Sequence, residues 1–343
     1  MKPILVIKFG TASLTRSNGE IDEAVILEIA RQVARLHQQY HVVIVSSGAV
    51  GAGKAYLRDY RGELSQRKAA AAIGNPLLLG LYAKYFGAFG IPVAQSLCER
   101  GHFANRPQFL QLKQTYETLW ESGVIPIANE NDVVSDLELK FSDNDELATL
   151  LAAGLGADTL LFSTSVGGLL DKQGQIVPRV EKIDENILGM ADTSKTAVGL
   201  GGMVSKLSFA KRAVRMGIRA VIFGIHTPEG ILKALEETTG TVFVPENVTM
   251  NARQKWLGTG GLVAGQVAVD DGAVKALLSR RSLLAVGITQ VHSDFDKGEV
   301  IEITDPAGQI IAVAKARESS STVISNLKTQ NFEVAHADDI VLL

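Results

Sequence analysis

A single cysteine, Cys98, occurs in the whole chain of 343 residues. No internal disulfide can therefore form, and the composition suits a reducing compartment. Its sequence neighbours Leu97, Glu99 and Arg100 offer nothing to lower its pKa, so Cys98 reads as a packing residue rather than a nucleophile. Also missing is any apolar run near the roughly 18 residues of a membrane span. The first residues do not follow a basic-then-apolar signal pattern, so a cytoplasmic protein without membrane attachment is expected. Charge of one sign is lacking too: 34 Lys and Arg against 37 Asp and Glu give a formal net charge of −3. That balance gives no reason to expect a polyanionic partner. Residues 199–206 lack the spacing of a Walker A loop, and no Gly-x-Gly-x-x-Gly turn follows the first strand.

What is present is an ordinary globular composition, 46% hydrophobic and 21% charged, at a length comfortable for two domains. Ile4, Leu5, Val6 and Ile7 predict a buried strand, ended by Lys8 and followed by Gly10, Thr11 and Ser13. Further strands are predicted at 41–45, 91–95, 124–128, 159–162 and 218–223. Between them, Ile21, Val25, Ile29, Val33 and Leu36 fall at helical spacing. Other helices are expected at 64–89 with an interruption near Pro76, at 109–120, at 147–155, and one opened by the stretch 199–206 and running through Arg215. A short hairpin is expected over 133–141. This alternation predicts an α/β fold, a three-layer αβα sandwich around a mainly parallel sheet, over residues 1–250. After a linker at 251–261 the rhythm is lost. Residues 262–343 read as a small β-rich barrel with one helix at 272–281 and strand-like runs at 265–269, 287–291, 299–304, 310–314 and 340–343.

Polar turns follow most of the predicted strands, where open α/β sheets bind ligands, and they sort into two chemical groups. Lys8 with Gly10, Ser47-Gly48, and the Gly201-Gly202 turn leading to Lys206 form a cationic, donor-rich half suited to an anion. Asp132, Asp143, Asn144 and Asp145 form an acceptor-rich half. The plainer reading of this last cluster is a helix N-cap with surplus charge. Two lysines and several glycine turns match what phosphoryl transfer needs, namely positioning and neutralisation of charge on the equatorial oxygens.

Val6-Ile-Lys8-Phe-Gly10-Thr11, Ser46-Ser47-Gly48-Ala49, Asn129-Glu130-Asn131-Asp132, Ser142-Asp143-Asn144-Asp145 and Gly201-Gly202-Met203 with Lys206 together resemble the amino-acid kinase family. The tail from Leu262 resembles a PUA domain. In detail and order the motifs are similar to those of the members that phosphorylate the γ-carboxylate of L-glutamate with ATP, the first step towards proline. The resemblance implies catalytic roles for Lys8, Lys206 and Asp145, with Asp145 holding the two ammonium groups. It implies glutamate binding by Ser47, Asp132, Asn144 and nearby Asp143. It places ATP near Lys8, Gly10, Thr164, Ser165, Leu200, Gly201, Gly202, Met203, Val204, Ser205 and Lys206, with Mg²⁺ bridging its phosphates and no metal cage in the protein. Proline as feedback inhibitor and a homodimer or homotetramer are further implications. Three positions on the nucleotide side depart from the family. Ser165 stands where an aspartate is usual, Leu200 stands where a threonine is, and Leu170-Asp171-Lys172-Gln173-Gly174 replaces an Asp-Pro-Arg run. Rival readings are a kinase for acetylglutamate, aspartate, carbamate or UMP, an RNA-binding PUA protein, and a catalytically dead regulator. Against RNA, residues 262–343 carry 7 Lys and Arg but 11 Asp and Glu, the wrong sign for phosphate binding.

Overall fold

Alternation along β1 (Ile4–Phe9) decides which of its side chains face which layer of helices. In the computed structural model, which describes residues 2–16, 19–104, 106–134, 143–192, 202–246 and 263–342, the strand lies at the centre of an eight-stranded sheet. The chain divides into two compact units, Met1–His102 with Arg106–Asn247, and Val248–Leu343 with Phe103–Asn105. The sheet of the first unit is completed by β2 (His41–Ser46), β3 (Val93–Cys98), β4 (Ile125–Glu130), β5 (Thr159–Thr164), β6 (Arg179–Val180), β7 (Arg219–Gly224) and β8 (Thr241–Phe243). Their order is β3-β4-β2-β1-β5-β7-β8-β6. Every pairing from β3 to β7 is parallel, and β8 then runs antiparallel to β7.

Ten helices of this unit are described: α1 (Thr11–Leu14), α2 (Glu23–Leu36), α3 (Ala49–Gly53), α4 (Leu64–Gly87), α5 (Arg100–Ala104), α6 (Arg106–Glu121), α7 (Asn144–Leu155), α8 (Glu185–Asp192), α9 (Met203–Arg215) and α10 (Gly230–Leu235). Leu5, Ile7 and Phe9 share one core with Ile26 and Ile29 of α2, Leu78, Tyr82 and Phe86 of α4, and Ile231 of α10. Because side chains alternate along a strand, Val6 and Lys8 face the other way. On that face α7 packs on β1, β2, β4 and β5, while α9 packs on β7 and on α7. The two helices carrying Asp145 and Lys206 thus share a face with Lys8.

Several boundaries differ from the expectations. Lys8 does not end its strand; it is paired within it, opposite Val45 on one side and Phe162 on the other. Proline does not break α4, which runs through Pro76. One lost backbone bond is outweighed by a buried stripe on either side of it. The helix expected from Leu147 begins at Asn144, since Asp143 caps it by accepting from Asp145 N and Glu146 N. The strands β6 and β8 and the helices α8 and α10 were not expected, being too short to show a period. The hairpin expected over 133–141 lies largely outside the described residues, with Val133 and Val134 in an exposed turn.

In the second unit, β9 (Val263–Val269), β11 (Ile288–Val291), β12 (Val300–Thr304), β13 (Ile310–Lys315) and β15 (Ile340–Leu342) form a mixed sheet in the order β11-β9-β12-β13-β15, and β10 (Leu283–Leu284) pairs with β14 (Glu333–Ala335). Helix α11 (Asp271–Leu278) is capped by Asp270, and a helix not expected, α12 (Ser320–Ser325), by Ser319. Val267, Leu277, Ile301, Ile303, Val313 and Val334 are buried here, so this unit has an apolar interior of its own.

Candidate functional site

Three buried charges meet above the carboxyl end of β1. Asp145 is 0% exposed, Lys8 4% and Lys206 7%. Lys8 Nζ stands 2.6 Å from Asp145 Oδ1, and Lys206 Nζ donates to Asp145 Oδ2 at 3.0 Å. One carboxylate therefore sits between two ammonium groups, and the group carries a net positive charge away from bulk water. Burial works to raise the Asp145 carboxyl, but Lys8 and Lys206 overcome it and hold its pKa below the ordinary range. Burial lowers Lys206 below the usual lysine value, with Lys8 adding to the lowering and Asp145 opposing it. Such an excess of positive charge, poorly solvated, is a place for an anion. A Cβ on Gly10 would lie 3.5 Å from Lys8 Nζ, an ordinary contact distance, so Gly10 adjoins the Lys8 ammonium group.

Asp143 fastens the two helices that carry Asp145 and Lys206. Its Oδ1 caps α7, and its Oδ2 accepts from Ser205 Oγ of α9. The capping reading of the acidic cluster thus holds for Asp143, while Asp145 faces the lysines. The Ser205 hydroxyl is directed to α7. Helix α9 has Gly202 as its N-cap and no side-chain cap bond, and the amino end of a helix favours an anion. Thr164 ends β5, where its hydroxyl accepts from Val166 N, and Ser165 next to it is exposed. Met203 and Val204 open α9, whereas Leu200 and Gly201 lie outside the described residues.

On the other side of the triad, Asn144 Nδ2 donates to Ser47 Oγ at 2.8 Å and to Asn129 Oδ1 at 2.9 Å. Ser47 and Asn144 are so brought together, 97 residues apart in sequence. Asp132 occupies the turn after β4, half-buried. Ser13, part of the first polar turn, is not at this site: it accepts from Ser163 Oγ inside the core. Burial pushes the Cys98 thiol up to about 11, in keeping with a packing role.

Sequence reasoning missed four participants. Asn75 accepts from Asn129 Nδ2 at 3.0 Å, and Arg100 pairs at 2.8 Å with the buried Glu146 beside Asp145. Glu99 accepts from Asn131. The only signal was an asparagine before a proline within a helical run, a poor helix former at a place where an apolar residue would do.

Among the described residues no group of three or more His, Cys, Asp or Glu could hold a metal ion, and both oxygens of Asp145 face lysines. Likewise no described helix is long and apolar enough to cross a membrane.

Residues 3–224 match the amino acid kinase family and residues 265–328 the PUA domain. The chain is 35% identical to the glutamate 5-kinase of Vibrio parahaemolyticus, over 99% of its own length and 96% of that protein's. It is 40% identical to the glutamate 5-kinase of Oleidesulfovibrio alaskensis, over 90% of this chain and 84% of that one. The carbamate kinase from Giardia lamblia, solved bound to AMP-PNP, shares the fold at a TM-score of 0.52 and 18% identity, covering 71% of this chain and 99% of its own. A parallel sheet with a buried Lys-Asp-Lys group at its carboxyl edge, a matching family over most of its length and full-length relatives of this kind agree: the chain belongs to the amino acid kinase family, among the glutamate 5-kinases.

Proposed function

We propose that this protein transfers the γ-phosphoryl group of ATP to the γ-carboxylate of L-glutamate, giving L-glutamyl 5-phosphate and ADP. The observation that carries the reading is Asp145 between Lys8 and Lys206, beside the Asn144–Ser47 pair. One carboxylate oxygen of glutamate attacks the γ-phosphorus, the bond between γ-phosphorus and bridging oxygen breaks, and ADP leaves with that oxygen. An ionised carboxylate needs no general base. The demand falls on charge, which collects on the equatorial oxygens of the transferring group. Lys8 and Lys206 neutralise it from fixed positions, because Asp145 holds both ammonium groups at hydrogen-bond distance before substrate arrives. The nucleotide phosphates lie at the start of α9, near Gly202, Met203, Val204 and Lys206, with Gly10 and Thr164 close by. ATP would enter as its Mg²⁺ complex, the ion supplying further positive charge to the phosphates. Ser47, Asn144, Asp132 and Asp143 make up the acceptor-amino-acid side.

A coupled assay for ADP release with ATP and Mg²⁺, run against glutamate, acetylglutamate, aspartate, carbamate and UMP, tests the reading. Turnover with glutamate alone is expected. Turnover with another acceptor and none with glutamate would refute it. The same assay with added proline tests the feedback inhibition that the family resemblance implies.

A further inference from the structure

Asn75 interrupts an apolar stripe. The buried face of α4 runs Ala71, Asn75, Leu78, Tyr82 and Phe86, at the three-and-four spacing of a core-facing helix. The next residue, Pro76, has no N–H to give back along the helix. Close approach explains how Asn75 reaches the site: a Cβ on Gly74 would lie 1.7 Å from Ala49 O, and one on Gly53 1.9 Å from Ala70 O. With no side chain at either glycine, α4 lies directly against α3, the helix that follows Ser47 and Gly48. A carboxamide only 6% exposed is thereby delivered to the end of β4.

From there hydrogen bonds run in one direction. Asn129 Nδ2 donates to Asn75 Oδ1, and Asn144 Nδ2 donates to Asn129 Oδ1 and to Ser47 Oγ. A single backbone group sets this polarity. Glu130 N lies 2.9 Å from Asn129 Oδ1, and a backbone N–H can only donate. The Asn129 oxygen must therefore face Glu130 N and Asn144, which turns its own NH₂ to Asn75. The Asn144 NH₂ in turn faces Asn129 and Ser47. At the end of the chain Asn144 Oδ1 is buried without a hydrogen-bond partner among the described residues. Ser47 has accepted a bond and keeps its hydroxyl proton to give.

Resting on the reading of this half as the amino-acid side, we infer that Asn75 is a positioning residue for the amino-acid substrate. It satisfies the buried NH₂ of Asn129, which then holds the Asn144 amide with its unpartnered oxygen left as an acceptor for an ammonium group. The Ser47 hydroxyl beside it donates to a carboxylate. An acceptor next to a donor suits an α-amino acid and discriminates against acceptors without a free ammonium group.

Asn75→Leu removes the acceptor at nearly constant size, and Asn75→Asp restores an oxygen in its place. For Asn75→Leu the KM for glutamate rises about 3- to 10-fold, the effect of one lost hydrogen bond, while kcat and the KM for ATP stay within about twofold. Asn75→Asp returns the KM for glutamate towards wild type. An unchanged KM for glutamate in Asn75→Leu overturns the inference, and so does an equal rise in both KM values or a failure of Asn75→Asp to restore. A second readout needs no substrate. In protein labelled with ¹⁵N at asparagine, the side-chain amide signals of Asn129 and Asn144 shift in Asn75→Leu. Signals that stay put overturn the inference even if the wild type proves to phosphorylate a different acceptor, and that last result alone would refute only the proposed function.

Discussion

At the scale of single residues, the pKa directions make the triad testable by pH. Asp145 titrates below the ordinary 3.8 in the folded protein, so its contribution to stability is complete above that value and is lost as pH falls through the lowered one. Lys206 titrates below 10.5; under its own pKa it is charged and attracts phosphate, and above it the attraction is gone. The kcat/KM for ATP, which reports the free enzyme, is therefore expected to fall on the alkaline side with an apparent pKa below that of free lysine. Lys206→Ala is expected to lose about 10²-fold or more in kcat and to abolish this limb. A profile flat to pH 10.5, or near-wild-type turnover in Lys206→Ala, would remove Lys206 from the chemistry.

At the scale of elements, a clamp beside the triad ties α7 to α9. Asp143, the N-cap of α7, precedes Asp145 by two residues, and Ser205 precedes Lys206 by one on α9, so the bond between them lies beside the Lys206–Asp145 pair. The two ends of the clamp should fail differently. Asp143→Ala removes a helix cap as well, at about 1 kcal/mol, and lowers both melting temperature and kcat. Ser205→Ala leaves the cap in place, because Asp143 Oδ1 still accepts from Asp145 N and Glu146 N. It is expected to lower kcat with little change in melting temperature. Thermal melts beside steady-state kinetics decide this, and wild-type kcat in Ser205→Ala would mean that packing alone holds α9 in register.

At the scale of the whole molecule, the two units bury separate interiors, and the Lys8–Asp145–Lys206 group lies in the first. A chain ending at Gly261 is expected to stay folded and to keep phosphoryl transfer, leaving the tail a part in regulation or assembly. An inactive but natively folded shortened protein, by circular dichroism and melting, would refute this. The tail's net charge of −4 repels phosphates at long range. Salt-sensitive RNA binding at sub-micromolar affinity by the full chain would contradict that electrostatic argument.

The sequence by itself determined the strand–helix rhythm and the polar residues at the carboxyl ends of β1, β2 and β4. Each follows from local causes: side-chain period, β-branched runs and turn residues act within a few positions. Tertiary structure alone decided which polar residues meet. Only the parallel order β4-β2-β1-β5 brings Lys8, Asp145 and Lys206 to one point, and only alternation along β1 puts Lys8 on the face of α7 and α9. Asn75 was illegible for the same reason. Its partner Asn129 lies 54 residues away, and nothing in the local pattern of α4 says that two glycines let that helix close on its neighbour. Hydrogen-bond partners across a sheet are fixed by backbone distances that exist only after the chain has folded.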